Sequence, residues 1–182
     1  MSFELAPRHR VAALAMAATL AASAATAQSG DNPFGSFKHD SNQPIEITAD
    51  SLAVNNQAQT ATFTGEVVAG QGTLRLTANK VTVNYGGGAG GGGEAAPGTG
   101  EIDSLRAEGE VFLSSGAETA RGEWAEYDVS GGVVTMGGNV VLTQGENAIS
   151  GENLRIDLNA GVGEISGGRV KSVFSPPAQN GG

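Results

Sequence analysis

Apolar and polar residues alternate along most of this chain with a period of two. Leu74-Arg75-Leu76-Thr77-Ala78, Val81-Thr82-Val83 and Leu154-Arg155-Ile156-Asp157-Leu158 are clear examples. Successive side chains of a strand point to opposite faces, so this pattern predicts strands with one buried and one wet face. Turn-forming residues interrupt it at Asn55-Asn56, Gly70-Gln71-Gly72, Ser114-Ser115-Gly116, Ser130-Gly131-Gly132, Gln144-Gly145-Glu146 and Asn159-Ala160-Gly161. Short antiparallel strands in hairpin sequence are the expectation. Beyond the first 27 residues no stretch carries the 3.6-residue period of an amphipathic helix, and the predicted fold class is all-β.

The pattern repeats. Gly109, Gly138 and Gly167 are 29 residues apart, and Gly65 precedes Gly109 by 44. The excess of 15 is a Gly-rich insertion, residues 86–100, whose composition is that of a flexible linker. With it removed, four columns align over four copies: Ile47, Leu76, Ala120, Ile149; Ala49, Ala78, Gly122, Gly151; Leu52, Val81, Ala125, Leu154; and Val54, Val83, Tyr127, Ile156. Phe63, Ala107, Met136 and Ile165 run two residues before the glycines, and Val67, Val111 and Val140 two after. The fourth copy slips by one, so that Val170 rather than Arg169 continues the valine column.

A single copy has too little core to stand alone, whereas stacked copies bury a continuous apolar strip. The product is an elongated folded sheet. By parity its inward positions are Ile45, Ile47, Leu52, Val54, Phe63, Val67, Leu74, Leu76, Val81, Val83, Val111, Leu113, Tyr127, Val134, Met136, Val140, Leu142, Ile149, Leu154, Ile156 and Leu158. Parity does not separate packed core from a groove that accepts a ligand.

Composition narrows the compartment and the chemistry. Arg8, His9 and Arg10 precede an Ala-rich apolar run from Val11 to Ala25, and Ala25-Thr26-Ala27 offers a small-residue cleavage site. Residues 1–27 therefore read as an export signal. A retained anchor is the rival reading, but about 17 apolar residues fall short of the roughly 20 that cross a membrane as a helix. The formal net charge of −9 becomes −10 without Glu4, Arg8 and Arg10, which argues against nucleic acid. The chain has no cysteine, so an oxidising compartment is neither used nor excluded. After the signal, the remaining histidine is His39, in a polar stretch, and the glycine run lacks the Lys-Ser/Thr ending of a phosphate loop. No cofactor and no metal is expected.

Ile47-Thr48-Ala49-Asp50-Ser51-Leu52-Ala53-Val54 is followed by Ala61-Thr62-Phe63-Thr64-Gly65-Glu66-Val67 and by Gln71-Gly72-Thr73-Leu74-Arg75-Leu76-Thr77-Ala78. In this order the three elements resemble the OstA-like domain of lipopolysaccharide-transport proteins, over about residues 44–174. The resemblance implies a twisted β-jellyroll, open along one side, whose apolar interior receives the acyl chains of lipopolysaccharide. It implies a periplasmic protein that joins end to end between inner- and outer-membrane transport components. Two departures stand out: the Gly-rich insertion replaces a modest hairpin loop, and the chain leaves the pattern soon after Phe174. The domain plan is then a signal (1–27), a flexible N-terminal segment (28–43), the OstA-like domain (44–174) and a disordered tail (175–182).

Physical chemistry supports such a carrier. Each CH₂ of an acyl chain costs about 0.8 kcal/mol to expose to water, and an aliphatic trough removes that cost without placed polar groups. Unpaired strand edges near Ile45–Ala49 and Val170–Phe174 are templates for head-to-tail pairing, which does not close into a ring. Three competing readings remain: a repeat scaffold with a filled interior, a membrane-anchored member of the same transport system, and a polysaccharide-active enzyme. The enzyme would use acids such as Glu101 with Asp103, or Glu123, Glu126 and Asp128, but general acid and base work needs carboxylates opposed in a cleft. Most of these acids alternate with apolar residues and are expected to face solvent. Trp124 shares parity with Glu126, which suggests the outer face or a groove mouth, against the usual burial of tryptophan.

Overall fold

A computed structural model describes residues 34–37, 43–86 and 101–175. The export signal, His39, most of the Gly-rich insertion and the tail from Pro176 lie outside the described residues. Ten strands form one antiparallel sheet: β1 (Glu46–Thr48), β2 (Ser51–Asn55), β3 (Thr60–Gln71), β4 (Leu74–Gly86), β5 (Glu101–Ser115), β6 (Glu118–Asp128), β7 (Val133–Gln144), β8 (Asn147–Asp157), β9 (Val162–Ser166) and β10 (Lys171–Val173). Each pairs with its neighbour in sequence from β3 to β8. β1 and β2 share one flank of β3, and β9 and β10 share one flank of β8.

The central strands are longer than the short segments expected, 11 to 15 residues from β3 to β8, because the repeat glycine is not a turn. At Gly65, Gly109 and Gly138 it is a bulge inside a strand, and at Gly167 it stands at the break between β9 and β10. Gly65, Gly109, Gly138 and Gly167 have φ of +85°, +80°, +82° and +79°, and the following residues Glu66, Glu110, Asn139 and Gly168 are also left-handed. At each bulge the register slips, between Thr64 and Val67, Glu108 and Val111, and Gly137 and Val140. An L residue in this conformation is strained, and a side chain would also collide with the neighbouring strand. A Cβ on Gly109 would lie 2.7 Å from Nδ2 of Asn79, and one on Gly138 or Gly167 would lie 2.6 Å from the Cβ of Glu123 or Glu152. Asp50 stands in the same relation to Gly65.

The line of bulges folds the sheet into two facing halves. The first half holds β1, the second parts of β3, β5 and β7, the first parts of β4, β6 and β8, and β10. The second half holds β2, the complementary parts and β9. The column Ala49, Ala78, Gly122, Gly151 lies beside the bend, where space is short: a Cβ on Gly122 would come within 2.9 Å of the Gly137 carbonyl oxygen. The slip in the fourth copy follows from Gly167-Gly168. Ser166 pairs with Asn153 and Lys171 with Ser150, which sets Val170 opposite Gly151, as Val140 is on the other flank.

Candidate functional site

The interior between the two halves is the largest apolar feature of the described residues. Val67, Val81, Val83, Val111, Leu113, Leu74, Tyr127, Val134, Met136, Val140, Leu142, Leu154, Ile156 and Leu158 are buried in one continuous cluster. Ile45, Ile47, Phe63 and Leu76 pack against it partly buried. Ile149 is half-buried and pairs with Leu142. Leu52 and Val54 pair with Phe63 and Ala61 and so face inward, yet they are 52% and 39% exposed. They lie on the last strand at that end, with nothing stacked beyond them among the described residues. The far end is equally uncovered, since Val170 and Phe174 are 48% and 69% exposed.

The interior is close to filled by the protein's own atoms. A cavity of about 30 Å³ opens on it, between Ile45, Leu74 and Leu76 of the first half and Leu105, Tyr127 and Val134 of the second. That is room for about one water. Opposite the bend, no backbone pairing joins the turns of the two halves among the described residues. In the second half, successive turns are tied by backbone bonds from Tyr85 to Gln59, Val129 to Asp103 and Leu158 to Gly132. None of these reaches the first half. Tyr127 does, with its hydroxyl donating to Oε1 of Gln71 at 2.8 Å. Burial, and then the adjacent Asp128, push the Tyr127 hydroxyl up to about 12.

Pattern reading missed a polar row on this interior. Gln71, Ser115 and Glu118 sit at inward positions beside the turns of the first half and are buried. Glu118 accepts from Nε2 of Gln144 through Oε1, at 2.8 Å, while its Oε2 is buried with no partner among the described residues. Also missed was Phe37, from the segment expected as a flexible linker, which is wholly buried in the same cluster. No periodicity announces a lone aromatic in a polar stretch.

The outer face carries the charges. Lys80 pairs with Glu108, and Arg106 bridges Glu108 and Glu126, each at 3.3 Å. The hydrogen bonds from Lys80 and then Arg106 hold the Glu108 carboxyl below its usual range. Trp124 is on this outer face, beneath the Arg106 guanidinium at 5.3 Å and over Gly137. Glu101, Asp103, Glu123, Glu126 and Asp128 are all exposed.

An antiparallel sheet of short repeats, bent by a bulge line around an apolar interior and left uncovered at both ends, is a distinctive arrangement. Residues 46–162 match the family described as LptA/(LptD N-terminal domain) LPS transport protein. The chain belongs to that family. A protein of Rhizobium meliloti (strain 1021), itself uncharacterized, is 36% identical over 174 residues and covers 92% of each chain. The lipopolysaccharide export system protein LptA of Escherichia coli K12 is 28% identical over 63% of this chain and 60% of its own length. The LPS-assembly protein LptD of a Neisseria meningitidis serogroup A strain is 28% identical over 84% of this chain, which spans 19% of LptD. In fold, the chain is similar to LptH, the LptA-homologous periplasmic component of the lipopolysaccharide transport device of Pseudomonas aeruginosa. The TM-score is 0.64 at 21% identity, over 75% of this chain and 99% of that one. The jellyroll implied by the OstA-like elements is therefore the fold of this LptA/LptD N-terminal family member.

Proposed function

We propose that this chain is a periplasmic lipopolysaccharide carrier that spans from inner- to outer-membrane transport components, and acts by binding rather than catalysis. Lipid A acyl chains lie between the two half-sheets, against Ile45, Ile47, Phe63, Leu76, Val111 and the other inward side chains named above. The observation that carries this reading is the apolar strip of eight rungs that, among the described residues, is uncovered at both ends, at Leu52 and Val54 and again at Val170 and Phe174. Copies stacked head to tail, β1 and β2 of one beside β9 and β10 of the next, would join these strips into one track. Glu101, Asp103, Glu123, Glu126 and Asp128 are exposed on the outer face, whereas hydrolysis needs carboxylates opposed in a cleft.

The near-complete filling of the interior favours a second reading, a scaffold that only joins partners. Photo-crosslinking separates the two. Probes at Ile47, Phe63 and Val111 should capture lipopolysaccharide in cells, while outward Val68 and Val141 should not. Equal labelling inside and out, or none inside, would leave the scaffold reading.

A further inference from the structure

Phe34-Gly35-Ser36-Phe37 forms a tight turn, closed by the Phe37 N–H donating to the Phe34 carbonyl at 3.2 Å. It lies across the open side of the fold. Ser36 touches the β5–β6 turn of the first half, where a Cβ on Gly116 would be 3.8 Å from the Cβ of Ser36, and Ser115 Oγ donates to the Ser36 carbonyl. Phe34 lies against Gly163 of the second half. Phe37 is 0% exposed and belongs to the interior cluster. A phenyl ring thus occupies apolar space that the carrier reading assigns to an acyl chain.

We infer that Phe34–Phe37 is a built-in plug, which an incoming acyl chain displaces from the interior. This rests on the carrier reading given above. The turn lies outside the sheet: its contacts among the described residues include the packing of Phe34 and Phe37 and the Ser115 bond, whereas each strand from β3 to β8 is held by ladders on both flanks. Segments outside the ladders open first. Oε2 of Glu118 is buried with no partner among the described residues, and it and the Cβ of Ser36 lie 3.9 and 3.8 Å from the Cβ position of Gly116. The acyl chain then covers the apolar surface that Phe37 leaves.

The chain has no cysteine, so a Ser36→Cys/Gly116→Cys pair gives a clean lock, with Cβ atoms at the usual spacing of a disulfide. Binding of fluorophore-labelled lipopolysaccharide is followed by anisotropy, oxidised and reduced, with the crosslinked fraction counted by thiol labelling. The oxidised protein should bind at least about tenfold more weakly than the reduced, and the reduced like the wild type. The reduced form also reports any effect of a side chain at Gly116, whose φ is +59°. Phe37→Ser, checked for folding by circular dichroism, should bind several-fold tighter. Hydrogen exchange at Ser36 and Phe37 should rise on adding lipopolysaccharide to the wild type. Equal binding by oxidised and reduced protein, or tight binding with Phe37 still protected, overturns the plug and leaves the carrier standing. Failure of every form to bind overturns the carrier reading and the plug with it.

Discussion

Replacing Tyr127 by Phe tests whether the two half-sheets are latched on their open side. The ring stays, and the hydroxyl that donates to Gln71 Oε1 at 2.8 Å goes. Gln71 is 8% exposed, so water replaces the lost donor poorly, and the expected loss is about 1–2 kcal/mol. In a domain of this size that lowers the melting temperature by about 3–8 °C. Gln71→Leu removes the stranded acceptor but also the bond from Gln71 Nε2 to the Gln43 carbonyl, at 3.0 Å, so the double variant should lose less than the sum of the two single variants, with a coupling of about 0.5–2 kcal/mol. An alkaline titration reads the burial of the same hydroxyl, since desolvation and then the Asp128 charge raise it. The folded hydroxyl ionises near 12, against an ordinary value of 10. Its contribution is therefore complete below pH 10 and is lost as pH rises from 10 toward 12, a slope that Tyr127→Phe should abolish. Melting unchanged from wild type, or a coupling of zero, would refute the latch.

Three other expectations follow from the same geometry. Gly109→Ala combines a left-handed φ with overlap on Asn79, whereas Gly145→Ala has open space around it; urea unfolding should show a loss of about 2–3 kcal/mol for the first and about 1 for the second. Equal losses would mean that conformation alone fixes the bulge glycine. The carboxyls of Asp128, held down by the Gly131 N–H and the Ser130 hydroxyl, and of Glu108 lie below their ordinary 3.8 and 4.5. Their stabilisation is full above those values and drains away as pH falls below them, so Glu108→Gln should flatten the upper part of the acid unfolding curve. Leu52→Asp should leave the melting temperature nearly unchanged, because Leu52 is 52% exposed, while weakening self-association about tenfold in sedimentation. Unaltered association would remove β2 from the head-to-tail contact.

Much of the fold is legible in the residues. Period two gives the faces, the turn clusters give the hairpin order, and the 29-residue spacing gives the stacking. The spacing alone does not say what the glycine does. Gly65, Gly109, Gly138 and Gly167 are followed by Glu, Glu, Asn and Gly, and only the backbone reveals that both positions of each pair are left-handed and that the strand runs on through the first three. Parity likewise fixes which way Leu52, Val54 and Val170 point, but not whether another rung lies across from them. The buried polar row fails for the opposite reason. Gln71, Ser115 and Glu118 carry turn-like composition and sit beside true turns, so their inward direction is hidden until the first half-sheet is seen to have a lid of its own chain.

A filled interior and a carrying function are compatible when the energies are compared. Parting the half-sheets exposes aliphatic surface, but an acyl chain of a dozen carbons covers surface again while removing its own, roughly 10 kcal/mol at about 0.8 per CH₂. Burial is therefore exchanged rather than lost. What governs opening is the set of directional contacts that the acyl chain cannot replace. On the bend side these are the ladders through every bulge, which persist. Across the mouth they include the Tyr127–Gln71 bond and the Ser115–Ser36 bond, each of which exchanges for water at a net cost near 1 kcal/mol. The sheet is thus strongly tied along one side and weakly along the other. That asymmetry, set by where the glycines fall, lets a well-packed protein admit a chain from the side without unfolding.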